Sequence, residues 1–151
     1  MSKGKDNKNF WQRYAPIYWM FVRSAGKAYD EISERISSYI KKDSKVLELA
    51  CGTGEFTIRL AKKCASWTAT DFSENMLKEA KNAYEKTGQS MEGLNFEWQD
   101  ATDLSYEKES FDAVMFIGYH SPASSEGNPL SHTMNLRNQY VKINGVLASE
   151  F

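Results

Sequence analysis

Three carboxylates and a pair of glycines recur at one kind of place in this chain, directly after short apolar runs. Glu48 falls near the end of "KVLELA" and is followed by Gly52 and Gly54, Asp71 closes "SWTATD", and Asp100 follows "LNFEWQ". A glycine turn lets the backbone bend tightly and approach a ligand with no Cβ in the way. A carboxylate at the end of the second run can accept both hydrogen bonds of a ribose diol, at about 1.5–3 kcal/mol for each charge-assisted bond. A third acidic side chain in line with it can accept from the exocyclic amine of adenine. These residue types suit an adenosine ligand.

The sign of the charge chooses among adenosine ligands. A dinucleotide brings its pyrophosphate to a helix N-terminus, where an added carboxylate is unwelcome. Here Glu55 occupies that first helical turn and no Lys or Arg stands in the loop. After Gly52 and Gly54 the third position of a G-x-G-x-x-G pattern is Thr57, and no Gly-Lys-Ser/Thr follows to make a P-loop. Glu48, Glu55, Asp71 and Asp100 together suit a ligand with a positive centre and no phosphate. S-adenosylmethionine, with its sulfonium, ammonium and ribosyl-adenine, meets that description.

These residues need a scaffold, and the hydrophobic pattern supplies one. Tyr29, Ile32, Ile36 and Ile40 share one face of a helix expected from Ala28 to Lys42. "KVLELA" is a strand with almost no alternation, as strands covered on both sides are. "EFTIRLAKKC" reads as a helix, "SWTATD" as a second strand, and Ser73 as the N-cap of "ENMLKEAKNAYEKTG" with Gly88 at its end. "LNFEWQ" and "FDAVMFIG" are third and fourth strands. A helix opening at Asn128-Pro129 and a fifth strand, "VLASEF", complete the order. Strands alternating with helices imply a parallel sheet built from right-handed crossovers. In such sheets ligands sit beyond the carboxyl ends of the strands, at the switch in strand order, where the carboxylates fall.

Composition bounds the reading. The 151 residues are 41% apolar and 13% aromatic, enough for one domain with its own core. A net charge of −1 offers no field for nucleic acid. No apolar run approaches the ~20 residues of a membrane span, and the N-terminus has no apolar signal segment. Cys51 and Cys64 are expected to be buried thiols in a reducing cytoplasm. No metal site is expected.

With these residues in view, the chain resembles a class I S-adenosylmethionine-dependent methyltransferase of the small-molecule type. "LELACGTGEFT" is similar to the family's first motif, with Ala50 where many members have glycine. The resemblance implies an α/β, Rossmann-like three-layer sandwich with strand order 3-2-1-4-5. It implies that the loop of Glu48, Ala50, Cys51, Gly52 and Gly54 holds the methionine part of S-adenosylmethionine, or of the product S-adenosylhomocysteine. Asp71 would bind the ribose, Phe72 and Met76 would pack beside the adenine, and Asp100 and Ala101 would meet its amine and ring. "FDAVMFIGYH" resembles the fourth motif, bringing in Gly118 and His120. His120 is the candidate base for an acceptor hydroxyl or amine, with an unperturbed pKa of about 6.5. "FWQRYAPIY" resembles the cofactor-covering segment, with Tyr14 and Tyr18 as its tyrosines and Trp19 where relatives carry Asp.

The same resemblance sets the domain and its partners. Residues 1–9 form a tail and residues 10–151 the methyltransferase-like domain, without the two strands that close the family's sheet. A truncated chain, a natural short form and a second copy covering strand 5 all account for that, the last giving a homodimer through the strand 5 edge. The resemblance implies an unidentified small-molecule acceptor, and strand 4 lacks the Asn/Asp-Pro-Pro-aromatic turn of methyltransferases acting on amides or bases, which argues against those substrates. Two other readings stand beside this one: a non-catalytic cofactor-binding domain and, with less support, an NAD-dependent oxidoreductase.

Overall fold

A computed structural model of the chain describes residue 13, residues 26–116 and the backbone of residues 146–148. The elements are α1 (Gly26–Ser37), β1 (Lys45–Leu49), α2 (Glu55–Leu60), β2 (Ser66–Asp71), α3 (Glu74–Glu85), β3 (Leu94–Trp98), β4 (Ala113–Phe116) and β5 (Val146–Ala148). The five strands pair in parallel in the order β3-β2-β1-β4-β5. β1 is central and the order reverses beside it, β2 lying on one side and β4 on the other. That reversal opens the crevice above β1 in which ligands bind in such sheets.

Alternation along the strands divides the core between two faces. Val46, Trp67, Ala69, Ala113 and Met115 pack with Ile36 of α1, Phe56 and Leu60 of α2, and Ala80 and Tyr84 of α3. Leu47, Leu49 and Val114 point the other way, onto Leu104 and Phe111 of the segment before β4. β1 is buried from Val46 to Leu49, as its unbroken apolar pattern predicts.

Two helices differ from their predicted lengths for local reasons. α1 ends at Ser37 rather than running to Lys42. Ser37 and Ser38 donate their hydroxyls to the carbonyls of Glu34 and Arg35, competing with continuation of the helix. Ile40 is still buried just beyond that end. α2 gives way at Ala61–Lys63 to a 3₁₀ turn, which tightens the chain for its return into β2. α3 begins as predicted: the hydroxyl of Ser73 accepts the amide of Met76 at 3.3 Å. The predicted helix after Pro129 lies outside the described residues.

Candidate active site

The loop between β1 and α2 has a backbone that winds through the left-handed region three times. Ala50 has φ 54°, Gly52 56° and Gly54 81°. Ala50 therefore holds, with a Cβ, a conformation that glycine adopts at no steric cost and that costs other L-residues about 1–2 kcal/mol. Gly54 is needed for space as well. A Cβ there would sit 3.0 Å from the Cβ of Ala80, so its bare Cα is what lets the start of α2 pack on α3.

Asp71 ties this loop to the end of β2. One carboxylate oxygen accepts the amide of Gly52 at 2.9 Å, and the other accepts the amide of Ser73 at 2.9 Å. The side chain is buried, and burial pushes its pKa up against the opposing pull of the backbone amides of Ser73, Gly52 and Phe72. Both oxygens are thereby aimed by backbone groups on either side of the crevice. Phe72 follows, half-buried, and its carbonyl accepts the indole N–H of Trp98 at 2.8 Å. Met76 is enclosed, at 2% exposure.

Glu48 lies lower, on the helical face of the sheet. It is 2% exposed, and one oxygen, Oε2, accepts the hydroxyl of Thr57 at 2.5 Å and the indole N–H of Trp67 at 2.7 Å. Burial raises its pKa to about 7, against the two hydrogen bonds and with some help from the charge of Asp71. A backbone bond completes the brace, the hydroxyl of Thr70 donating to the carbonyl of Glu48 at 2.7 Å. Cys51, in the loop above, is buried and its thiol is held well above its ordinary pKa, chiefly by desolvation, so it is an inert packing group.

Asp100 is exposed beyond the end of β3. Its Oδ1 shapes its own turn, accepting the amide of Thr102 at 2.9 Å and the hydroxyl of Thr102 at 2.6 Å. Ala101 is half-buried against the second apolar cluster. The structure thus assembles Glu48, Ala50, Cys51, Gly52, Gly54, Asp71, Phe72, Met76, Asp100 and Ala101 around the carboxyl ends of β1, β2 and β3. Tyr14, Gly118 and His120 lie outside the described residues.

Two features of this geometry were not visible in the residue pattern. Glu55 forms an ion pair with Arg59 at 2.7 Å, and Arg59 also meets Asp30 at 2.6 Å. The negative character of the crevice therefore rests on Glu48, Asp71 and Asp100, with no Lys or Arg paired to any of them among the described residues. Thr57 and Trp67 are the second feature. Thr57 counts as a missing glycine in a dinucleotide pattern, yet its hydroxyl is what anchors Glu48. The signal for Trp67 was strand alternation: Val46 pairs with Trp67 and Glu48 with Ala69, which places Trp67 and Glu48 diagonally on one face.

A family profile described as a methyltransferase domain matches residues 46–129. Demethylmenaquinone methyltransferase of Staphylococcus aureus strain MRSA252 is 45% identical over 83 residues, 53% of this chain and 32% of the relative. The chain thus spans about a third of the length of the curated relatives it matches. Among solved structures, DhpI in complex with SAH superimposes with a TM-score of 0.69 at 27% identity, over 92% of this chain and 64% of that one. Phosphoethanolamine N-methyltransferase 1 of Haemonchus contortus, in complex with phosphoethanolamine and S-adenosylhomocysteine, shares the fold at a TM-score of 0.60 and 22% identity, over 74% of this chain and 24% of that one.

Proposed function

The chain belongs to the methyltransferase-domain family, and from its crevice we propose that it binds S-adenosylmethionine across the ends of β1, β2 and β3 and methylates a small-molecule acceptor. The observation that carries this reading is Asp71. It is a buried carboxylate with both oxygens fixed by backbone amides and no cation paired to it among the described residues. A carboxylate oxygen accepts more than one bond, so Asp71 can still receive the two hydroxyls of a ribose. The sulfonium and the methionine ammonium suit a crevice whose carboxylates, Glu48, Asp71 and Asp100, have no Lys or Arg paired to them among the described residues. The donor set fits the family's cofactor.

The roles of the chain's own residues follow. Asp71 orients the ribose, and Gly52 and Gly54 allow the ligand to approach the backbone closely. Asp100 receives the adenine amine on Oδ2, since Oδ1 serves the Thr102 turn. Phe72 and Ala101 flank the ring. When bound, the cofactor supplies an electrophilic methyl group on sulfur. The protein contributes alignment of the acceptor and exclusion of water rather than a covalent intermediate. His120 is the residue we assign to take the acceptor's proton, and Tyr14 is assigned to cover the cofactor.

The acceptor class is a small molecule. The Staphylococcus aureus relative is named for demethylmenaquinone, and its similarity to this chain makes that quinone, in reduced form, the first acceptor to offer. Among the described residues no helix is long and apolar enough to cross a membrane. Cys51 and Cys64 are both free, which supports placement in the reducing cytoplasm.

Calorimetric titration with S-adenosylmethionine, S-adenosylhomocysteine and NAD, on the wild type and on Asp71→Ala, tests the reading. The expected result is micromolar binding of the first two, none of NAD, and at least a tenfold loss in the variant, the equivalent of about 1.4 kcal/mol. NAD binding, or indifference to Asp71→Ala, would overturn it. Binding with no methyl transfer across an acceptor screen would support the non-catalytic reading instead.

A further inference from the structure

We propose that Thr57 and Trp67 are positioning residues that hold Glu48 as the counter-charge for the positive methionine end of the cofactor, a proposal that rests on the cofactor reading above. Both donors fall on a single carboxylate oxygen. Thr57 Oγ1 reaches Oε2 at 2.5 Å from α2, and Trp67 Nε1 reaches it at 2.7 Å from β2. Neither donor side chain is exposed. Oε1 takes no hydrogen bond from the described residues, so both donors load one oxygen of a buried carboxylate. A bond to an ionised acceptor is the stronger kind, and two on one atom favour the anion while fixing its plane.

The surroundings of Glu48 lack what an anion needs next. Thr57 meets it from α2, Trp67 and the field of Asp71 from β2, Met115 from its partner strand β4, and the thiol of Cys51 from the loop above. None of these is positive. Burial above all, with a smaller push from the charge of Asp71 and no cation beside them, favours keeping a proton on Glu48 until a positive ligand binds. Arrival of a positive ligand reverses the preference, and the proton leaves to solvent. Affinity for a cationic ligand then falls as pH drops below neutrality. It falls sooner when either donor is removed, because the anion has lost part of its support. Both donors are fully buried and both satisfy Glu48, so removing either leaves the carboxylate short of a partner, and Trp67→Phe also removes volume from the core.

The test compares three probes on four proteins between about pH 6 and pH 9. The probes are S-adenosylmethionine, S-adenosylhomocysteine and 5′-methylthioadenosine, a neutral nucleoside without the amino-acid end. The proteins are the wild type, Trp67→Phe, Thr57→Val and Thr57→Ser. Trp67→Phe and Thr57→Val are expected to bind the first two probes about tenfold more weakly at pH 7. The midpoint of the pH dependence should rise by on the order of one unit, which is the same factor of ten. Thr57→Ser should restore the wild-type profile, and 5′-methylthioadenosine should bind all four proteins alike. Equal losses for all three probes at every pH would mean a merely structural role and overturn the proposal, as would unchanged profiles. Failure of the wild type to bind any probe would overturn the cofactor reading itself. If Trp67→Phe does not fold, the Thr57 variants decide.

Discussion

At the scale of single residues, the crevice puts acidic groups where burial works against their charge, and this leaves a mark on stability. Glu48 has an ordinary pKa of 4.5 and one of about 7 in the fold. Between those values the folded chain holds a proton that the unfolded chain has released. Proton binding then favours the fold at low pH, and stability falls as pH rises from about 4.5 through about 7. At 1.36 kcal/mol for each unit, the loss is on the order of 3 kcal/mol. Asp71, also raised by burial, acts in the same direction. Urea denaturation at pH 5 and pH 8 should show the wild type weaker at the higher value. Glu48→Gln keeps an acceptor for Thr57 and Trp67 but carries no charge, so its difference between the two pH values should shrink to that of the remaining groups. A wild type more stable at pH 8 would refute the account.

At the scale of elements, the loop of Ala50, Gly52 and Gly54 sets how α2 meets α3. Replacing Gly54 by alanine combines a left-handed backbone, costing about 1–2 kcal/mol, with a Cβ pressed on Ala80. The expected cost is about 2–3 kcal/mol in urea unfolding, together with weaker cofactor binding as the loop shifts. A loss below about 0.5 kcal/mol would show that the loop rearranges freely. The elements were also where the sequence was most informative. β1, β2 and β3 could be placed within a residue or so because each is a short apolar run closed by a polar or acidic residue. The N-cap of α3 could be named because Ser73 has the chemistry for it. The ends of α1 and α2 could not. A serine that bonds back to its own helix and a 3₁₀ turn imposed by a short return to β2 are both decided by neighbours in space. The pairing of Glu48 with Thr57 and Trp67 was hidden for the same reason, since it joins residues 9 and 19 positions apart.

At the scale of the whole molecule, the strand order could be expected before the structure because it depends only on alternating elements and crossover geometry. What that order leaves at its margins is a matter of surface chemistry. β3 forms one margin, and one of its faces carries Asn95, exposed, and Glu97, half-buried, whose carboxylate accepts the hydroxyl of Tyr106 at 2.6 Å. Polar and charged side chains of this kind discourage another strand from pairing there. β5 forms the other margin in the strand order, and Val146, Leu147 and Ala148 bring no charge to it. Beyond β4, no described strand pairs with β5. We propose that this edge takes a partner strand, and that a second copy of the chain supplies it. The expectation is a dimer that dissociates on dilution. Light scattering across a hundredfold range of protein concentration measures it directly, and a clean monomer at the highest concentration would count against self-association at β5. A dimer that persists would explain how this chain keeps its fifth strand in the sheet. It would also make cofactor affinity depend on protein concentration, since β5 flanks β4 and β4 flanks the strand that carries Glu48.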